Sequence, residues 1–389
     1  MTTRIKNGKY ILPDGIYEDL YLYFTDDTIT AITKDELTYE EEIDAKGYYV
    51  SPGFIDMHVH GGGGRSFAAG DKESIIKAAN FHASHGTTSI LATSSACSPK
   101  RLVDFLRALH EVMEEKSAPS VIGAHLEGSY FSLAQSGAQN PEFIKAPDPK
   151  EYEMFYEEGK GHIMVWSFAP ELPGGEAFVK FLMEKGIIPS IGHSNATYAD
   201  VKKVYDLGCR AFTHLYSGMS TITRDNGFRR LGVIESAYLL DDVHAEIIAD
   251  GCHLPPELLQ LIVKRLGVDN LCLITDALQV AGMEHMEQSL TREVESLAFI
   301  VEDGVAKLPD RSAFAGSIAT TNRLVKTMID KAGVSLEESI QMMTANPARF
   351  LHLTKKGRLD PGLDADIVIF DDEIDIKRVI IGGNTFTVA

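Results

Sequence analysis

The sequence predicts an α/β protein: a barrel of eight parallel strands with a small β domain built from both ends of the chain. Three observations lead to this fold class. Apolar strand-like runs alternate with helical patterns through the middle of the chain, there are eight such runs, and short β-rich segments occupy both ends. Apolar strands separated by helices are typical of a parallel sheet covered on both faces. Eight strand–helix units close into a barrel, with a doubly wound open sheet as the alternative.

Both ends of the chain contain short runs rich in β-branched and aromatic residues, separated by turn signals such as Pro-Asp-Gly, which predict strands. The runs lie within residues 1–52 and 353–389 of the 389-residue chain. Because the two ends share this character and flank a different middle, we expect them to form one discontinuous small domain. Residues 53–352 are then the barrel.

The eight predicted barrel strands are near-continuous apolar runs. They cover residues 54–60, 88–94, 121–127, 163–170, 187–193, 210–215, 244–250 and 271–277. Most of the segments between them have the apolar spacing of amphipathic helices, and several end at Gly, as a helix C-terminus often does. Two more helical segments follow the eighth strand.

Composition and charge exclude several classes of function. The chain has 37 Lys and Arg against 56 Asp and Glu, a formal net charge of −19. This charge repels nucleic-acid phosphates and anionic lipid, so we expect neither as a partner. The N-terminal residues lack the apolar segment of a signal peptide, and the four cysteines are isolated, as in reduced cytoplasmic proteins. We therefore expect a cytoplasmic protein without membrane spans or disulfides.

Side chains that bind metals recur at the ends of the predicted strands, where barrel enzymes place their catalytic groups. His58 and His60 end the first strand, and because they are two residues apart their side chains share one face. His125 lies deeper on the third strand, so we expect a packing role beneath the site, with metal ligation as the alternative. The remaining groups at strand ends are Glu127, His193, His214, His253 and Asp276.

Imidazole and carboxylate ligands suit Zn, Fe, Mn or Co and need no thiolate. The groups exceed what one closed site needs, so the pattern fits either two metals bridged by a carboxylate or one metal with a free acid–base group. A metal with an open position lowers the pKa of bound water towards about 7. A carboxylate beside it can pass the proton of this water to a leaving nitrogen. The chemistry therefore predicts a metal-assisted hydrolase.

Longer motifs resemble a known family. The segments PGFIDMHVHG and GRLDPGLDADIVIFD are similar to those of the amidohydrolase superfamily. Within it, the chain resembles the N-acetylglucosamine-6-phosphate deacetylases in a series of motifs, in order over almost the whole chain: HLEG, GHSNATY, THLYSGM, IIADGCH, LITDA and AGS. The resemblance implies a TIM-like barrel with a small β-sandwich from both termini, and a homodimer. It also implies an amino-sugar catabolic reaction, hydrolysis of the acetamide of N-acetylglucosamine 6-phosphate to glucosamine 6-phosphate and acetate.

The resemblance also implies roles for single residues. Glu127 would bridge two divalent ions, and Asp276 would be the general base and then the acid. His253 would bind the sugar or its phosphate. The implied metal ligands are His58, His60, Glu127, His193, His214 and Asp276. The other implied substrate contacts are Ala138, Gln139, Ser217, Gly218, Phe314, Ala315 and Gly316.

The sequence departs from the family at its substrate contacts. Gln139 stands where the family has a His that helps to polarise the substrate carbonyl, although Gln can still donate a hydrogen bond. Ser217 replaces an Asn, and the phosphate-binding segment reads ITRDNGFRRLG. Arg224, Arg229 and Arg230 are the candidates for phosphate contact there, with a solvated loop pair as the alternative for the last two. Deacetylation of N-acetylgalactosamine 6-phosphate or of an unphosphorylated sugar therefore stays open.

Two further functions are alternatives. A cyclic-amide hydrolase would want a carboxylated Lys at the end of the fourth strand, and the run at 163–170 has no Lys. An inactive barrel used as a binding protein would be expected to lose ligands, whereas this chain has all of them.

Overall fold

The computed structural model describes residues 1–283, 289–292 and 294–386. Its centre is one sheet of eight parallel strands in which each strand pairs with the next along the chain. The strands are Phe54–Val59, Thr87–Ser94, Val121–Glu127, Ile163–Phe168, Ile188–Ile191, Ala211–Phe212, His244–Ile247 and Leu271–Leu273. A doubly wound sheet would reverse its strand order, which this sheet does not. The predicted barrel is therefore confirmed.

Backbone hydrogen bonds just beyond the strand ends bring the first and eighth strands together. The amide of Asp276 donates to the carbonyl of His58 at 2.9 Å, and the amide of His60 donates to the carbonyl of Ala277 at 2.9 Å. The closure of the barrel thus places the aspartate of the last strand beside both histidines of the first.

A helix follows each barrel strand. These helices are Lys72–Ala83, Pro99–Glu115, Pro149–Glu158, Gly175–Lys185, Tyr198–Asp206, Val233–Leu239, Pro256–Leu266 and Thr321–Thr327. Local chemistry sets their ends: the side chains of Asp71 and Ser98 cap the first two helices by accepting hydrogen bonds from backbone amides. The fourth ends at Gly186 in the left-handed conformation. A π-helical turn at Met328–Ala332 and two helices, Leu336–Met343 and Ala345–Phe350, complete this part.

The two ends of the chain form two further sheets that share one apolar core. The first sheet contains Thr2–Lys6, Tyr21–Thr25, Thr28–Thr33 and Glu41–Asp44. The second contains Lys9–Leu12, Gly15–Tyr17, Tyr49–Pro52, Ile367–Phe370, Ile376–Ile381 and Asn384–Phe386. Side chains of both sheets, such as Leu22 and Ile367, pack in one buried cluster. The small β domain from both termini is confirmed; its exact limits stay a prediction, and its last residues, 387–389, lie outside the described ones.

Three insertions extend from the carboxyl ends of the strands in the described part of the chain. A hairpin of Thr223–Asp225 and Phe228–Arg230 follows the sixth strand. An antiparallel sheet follows the eighth strand and contains Leu290–Thr291, Phe299–Glu302, Val305–Lys307 and Phe314–Gly316. A short ribbon of Gly61–Gly62 and Arg65–Ser66 follows the first strand. The described helices include none with the length and apolar character needed to cross a bilayer.

The fully buried His82 on the first barrel helix donates from Nε2 to the carbonyl oxygen of Gly61 at 2.8 Å. Burial lowers its pKa from 6.5 to about 4. The unfolded chain therefore binds a proton first as the pH falls, and the free energy of unfolding drops between pH 6.5 and 4. We expect this one group to account for about 2 kcal/mol of the loss between about pH 7 and 5.

Urea unfolding at both pH values, with a chelator present so that metal binding does not contribute, measures this loss. The variant His82→Gln keeps an amide donor for the Gly61 carbonyl but does not titrate, and we expect its loss to be smaller by about 2 kcal/mol. An equal loss in the variant and the wild type would contradict the assignment.

Candidate active site

The predicted site residues meet around a cavity of about 320 Å³ at the carboxyl end of the barrel. Those that line it are His60, Glu127, Ala138, Gln139, His193, His214, Ser217, Gly218, His253, Asp276, Phe314, Ala315 and Gly316. His58 lies directly beneath and is fully buried. Residues far apart in the sequence thus converge because parallel strands end at one edge of the barrel.

The carboxylate of Glu127 is the centre of this cluster and is only 2% exposed. Its Oε1 lies 2.9 Å from His214 Nε2 and 3.0 Å from His193 Nε2. Its Oε2 lies 3.2 Å from His60 Nε2 and accepts a hydrogen bond from Gln139 Nε2 at 2.6 Å. Burial alone would raise the pKa of Glu127, but the surrounding imidazoles, with His58 the strongest, hold it well below its usual range.

Asp276 lies on the other side of the first-strand histidines. Its Oδ1 is 3.1 Å from His60 Nε2 and 3.6 Å from His58 Nε2. His58 Nε2 also lies 3.7 Å from Glu127 Oε1 and has no hydrogen-bond partner among the described residues. A buried polar atom without a partner costs free energy, so the position of this nitrogen between two carboxylates needs a physical reason.

A cation gives that reason. The ring Nδ1 of His193 lies 2.8 Å from the carbonyl oxygen of Gln135, which can only accept, so this nitrogen carries the hydrogen. The Nε2 of a neutral His193 then presents a lone pair to Glu127 Oε1, which is itself an acceptor. A proton or a metal ion between the two atoms removes the conflict. Imidazole and carboxylate ligands suit divalent transition metals, so the residues present fit such an ion.

The neighbouring carboxylates raise the pKa of two of these histidines. Burial lowers the pKa of His60, but its contacts with Asp276 and Glu127 outweigh burial and raise the pKa to about 9. Burial also opposes the charged form of His58, and the charges of Glu246 and Glu127 raise its pKa well above the usual value. The pocket is therefore built to hold positive charge.

Three of the site residues lie beyond the strands that the sequence assigned to them. The fifth, sixth and eighth strands end at Ile191, Phe212 and Leu273, earlier than predicted. His193, His214 and Asp276 follow with positive φ angles of 46°, 30° and 48°. This conformation costs of order 1–3 kcal/mol per residue and persists where the surroundings fix it, typically at functional sites. From these turns all three side chains reach the cavity.

One glycine is required by this arrangement. A Cβ at Gly218 would lie 2.7 Å from Nδ1 of His193 and 3.0 Å from the carbonyl oxygen of Gln135. A side chain there would therefore displace the hydrogen bond that orients the His193 ring.

His125 packs below the site, as the sequence favoured. Its Nδ1 pairs with the carbonyl oxygen of Met57 at 3.0 Å and its Nε2 pairs with Ser167 Oγ at 2.7 Å. Both nitrogens are used by the protein, and burial lowers the pKa to about 4, so the ring stays neutral.

The substrate side of the cavity contains His253 and Phe314, whose ring centroids are 4.7 Å apart. His253 Nδ1 pairs with Asp250 Oδ2 at 2.8 Å, which leaves its Nε2 available. Gln139 donates one amide hydrogen to Glu127 and accepts a hydrogen bond from the Ala96 amide, so its second N–H is still free to donate.

The structure does not bring the predicted arginines to the cavity. Arg224, Arg229 and Arg230 lie on the exposed hairpin after the sixth strand, and Arg230 pairs with Asp225 at 3.0 Å. Among the described lining residues there is no Lys or Arg. A role of the three arginines in substrate binding stays a prediction.

Sequence reasoning missed the residues that orient the ring nitrogens. Glu246 on the seventh strand is buried and contacts His58, while Ser95 and Asp250 lie beside His60 and His253. One signal was available for Glu246: it is an acidic residue between two buried apolar residues, Ala245 and Ile247, of a short strand. The others lie in loops whose partners only the fold brings together.

A barrel with clustered imidazoles and carboxylates at the carboxyl ends of its strands defines a class, the barrel hydrolases. The sequence profile of the amidohydrolase family matches residues 49–386, and the chain belongs to this family. The family generally uses divalent metal ions, in agreement with the donor atoms found here.

More specific relatives cover the whole chain. The N-acetylglucosamine-6-phosphate deacetylase of Lysinibacillus sphaericus is 32% identical over 97% of this chain and 96% of its own length. The N-acetylgalactosamine-6-phosphate deacetylase of Shewanella sp. (strain ANA-3) is 28% identical over 97% and 95%. Among solved structures, a mutant N-acetyl-D-glucosamine-6-phosphate deacetylase of Mycobacterium smegmatis in complex with N-acetyl-D-glucosamine-6-phosphate matches with a TM-score of 0.89, 26% identity and coverage of 100% and 99%.

The central carboxylate gives a direct test of metal binding. We expect Glu127→Gln to lower metal affinity more than about 100-fold, because the amide keeps the shape but removes the buried negative charge between the imidazoles. Metal content after dialysis, measured by mass spectrometry, checks this. The control is Glu158→Gln, at the end of the third barrel helix. It removes a carboxylate that is paired with Arg107, and this variant should keep its metal. Full metal content in Glu127→Gln would contradict the proposed site.

Proposed function

We propose that the protein is a metal-dependent deacetylase that hydrolyses the acetamide of N-acetylglucosamine 6-phosphate to glucosamine 6-phosphate and acetate. The observation that carries the proposal is the cluster of Glu127, Asp276 and four imidazoles beside a cavity of about 320 Å³. Similarity to deacetylases over the full length of the chain supports it. We further propose a cytoplasmic homodimer whose barrel spans residues 53–352.

We propose that the site holds one or two divalent ions (Zn, Fe, Mn or Co). Both oxygens of Glu127 face imidazoles: Oε1 faces His193 and His214, with His58 at 3.7 Å, whereas Oε2 faces His60. This division supports a bridging carboxylate between two ions, the second of which would be held by His58 and His60. When bound, such ions polarise a carbonyl and lower the pKa of water.

Asp276 is the proposed base and acid. Burial alone would raise its pKa, but the hydrogen bond with His60 lowers it, so the carboxylate is ionised at neutral pH. It can therefore accept a proton from the attacking water and return it to the nitrogen of the leaving amine. The free N–H of Gln139 can donate to the substrate carbonyl. The Nε2 of His253 can accept a hydrogen bond from a sugar hydroxyl, because Nδ1 holds the ring hydrogen towards Asp250.

The phosphate needs positive charge that the described cavity lining does not supply through Lys or Arg. His253 is one candidate inside the cavity. Arg224, Arg229 and Arg230 stay candidates outside it, and they would have to approach by movement of the hairpin or from the second copy in the proposed homodimer.

A second candidate function is deacetylation of N-acetylgalactosamine 6-phosphate. It is favoured by relatives of that name from Shewanella sp. (strain ANA-3) and Escherichia coli O157:H7, both 28% identical over nearly the whole chain. Ser217, which lines the cavity where the family has an Asn, is consistent with a changed sugar contact.

Acetate release from a substrate panel distinguishes these functions. The panel contains the 6-phosphates of N-acetylglucosamine, N-acetylgalactosamine and N-acetylmannosamine and the three free sugars. Hydrolysis of a cyclic amide releases no acetate, so its ring opening is followed separately by liquid chromatography. We expect the highest kcat/KM with N-acetylglucosamine 6-phosphate. Preference for the galactosamine compound would favour the second candidate, reaction of free sugars alone would contradict the phosphate assignment, and turnover of the cyclic amide alone would contradict deacetylation.

Replacing Asp276 by Asn tests its proton-transfer role. We expect kcat to fall by about 10³-fold while the fold is retained, because the amide cannot accept the proton from water. Steady-state kinetics with metal content measured in parallel separates this effect from metal loss. Activity near the wild-type level in a metal-loaded variant would contradict the role.

A further inference from the structure

Glu246 is a buried carboxylate that the proposed reaction does not use. It lies on the seventh barrel strand and is 3% exposed. Its Oε1 has no hydrogen-bond partner among the described residues. Burying a carboxylate with an unsatisfied oxygen is costly, and an apolar side chain of similar size would stabilise the barrel better. The fold alone therefore gives no reason for an acid at this position.

The other oxygen joins two groups of the site. Glu246 Oε2 accepts a hydrogen bond from His58 Nδ1 at 3.0 Å and one from the backbone amide of His214 at 3.2 Å. One carboxylate thus links the ring of His58, on the first strand, to the backbone of His214, a proposed metal ligand after the sixth strand.

This contact fixes the tautomer of His58. An ionised carboxylate only accepts, so Nδ1 carries the hydrogen and Nε2 presents its lone pair. That Nε2 is the atom that lies 3.7 Å from Glu127 Oε1 and 3.6 Å from Asp276 Oδ1, without a hydrogen bond of its own among the described residues. The edge of His125 packs against the same ring, with centroids 4.5 Å apart, and limits its rotation.

The other histidines have weaker partners at their second nitrogen. His193 Nδ1 donates to the neutral carbonyl of Gln135, and His60 Nδ1 lies 3.3 Å from Ser95 Oγ. His214 Nδ1 has no hydrogen-bond partner among the residues described. Of the four proposed metal-ligating histidines, His58 is the one whose Nδ1 pairs with a carboxylate among the described residues. Such a pairing raises the basicity of a metal-ligating imidazole and its affinity for the ion.

We propose that Glu246 is a positioning residue that holds His58 in its ligating tautomer and sets the affinity for the ion bound by His58 and His60. The proposal rests on the proposed function only in assuming a divalent metal at this site. It adds that the two ions differ in their dependence on Glu246, because the ion held by Glu127, His193 and His214 has its own ligands. The negative charge of Glu246 also offsets the repulsion between two dications.

Zinc titration of the metal-free full-length protein tests this proposal, with zinc alone and no substrate. We expect wild type to bind two equivalents. We expect the affinity for one of them to fall about 10-fold in Glu246→Gln, whose amide oxygen still accepts a hydrogen bond, and about 100-fold in Glu246→Ala. The other equivalent should keep its affinity in Glu246→Gln, whose amide oxygen can still accept from the His214 backbone amide, and should weaken less than the first in Glu246→Ala, which removes that acceptor. In the acetate assay we expect kcat to fall in the same order, with KM little changed and kcat restored by excess zinc.

Asp56→Asn is the matched control. Asp56 is a fully buried carboxylate of the first strand that accepts hydrogen bonds from Thr275 Oγ1 at 2.6 Å and from the backbone amide of His58 at 3.4 Å. Unlike Glu246, it is not paired with an imidazole nitrogen, and an Asn oxygen can accept the same two hydrogen bonds. Its neutral variant should keep both zinc equivalents. If Glu246→Ala does not fold, as judged by circular dichroism, the isosteric Gln variant decides.

Wild-type affinity for both ions in the Glu246 variants would overturn the proposal, and so would equal weakening of both, which indicates a merely structural role. Binding of a single equivalent by wild type with no effect of the variants also overturns it. Failure of the proposed function is a separate result, since a wild type that binds two zinc ions but releases no acetate leaves the titration comparison intact.

Discussion

The buried carboxylate of Glu127 is the constraint on which the carboxyl end of the barrel depends. A desolvated negative charge at this depth is unfavourable unless it is paired, and four imidazoles surround it. Contact with the imidazoles does not by itself stabilise the carboxylate, because a neutral imidazole presents a lone pair to an oxygen that can only accept a hydrogen bond. Asp276 and Glu246 add two more negative charges to the same volume. The arrangement balances only when cations occupy it, so the chemistry of the site and the stability of this part of the barrel are coupled.

Closure of the barrel brings these charged side chains together. The backbone hydrogen bonds between His58, His60 and the residues after the eighth strand place Asp276 at the first-strand histidines without any long loop. The left-handed turns at His193 and His214 then point rings inward from two other strands. Backbone strain of this kind is tolerated because the strands and the surrounding hydrogen bonds fix the geometry independently.

The periodicity of apolar residues in the sequence was enough to predict the barrel and part of the site. Successive strand side chains alternate between faces, so the spacing of His58 and His60 indicated a shared face, and alternation of strands with helices indicated a barrel. The turns after the fifth and sixth strands could not be predicted, since His193 and His214 read as strand residues and their positive φ depends on tertiary contacts. Glu246 was missed for a related reason: its inward direction follows from the closed barrel rather than from its neighbours in sequence.

The net charge of −19 does not determine the electrostatic field inside the cavity. Charges on the outside of the protein are screened within roughly 8 Å at physiological ionic strength, so they have little effect inside the cavity. There, the field is set by groups a few ångströms away, and the described lining offers carboxylates and imidazoles but no Lys or Arg. An anionic substrate would meet repulsion from Glu127 and Asp276 in the metal-free site. Two bound divalent ions would outweigh the charge of Glu127, Asp276 and Glu246, and metal loading would then govern substrate attraction as well as the chemistry at the acetamide.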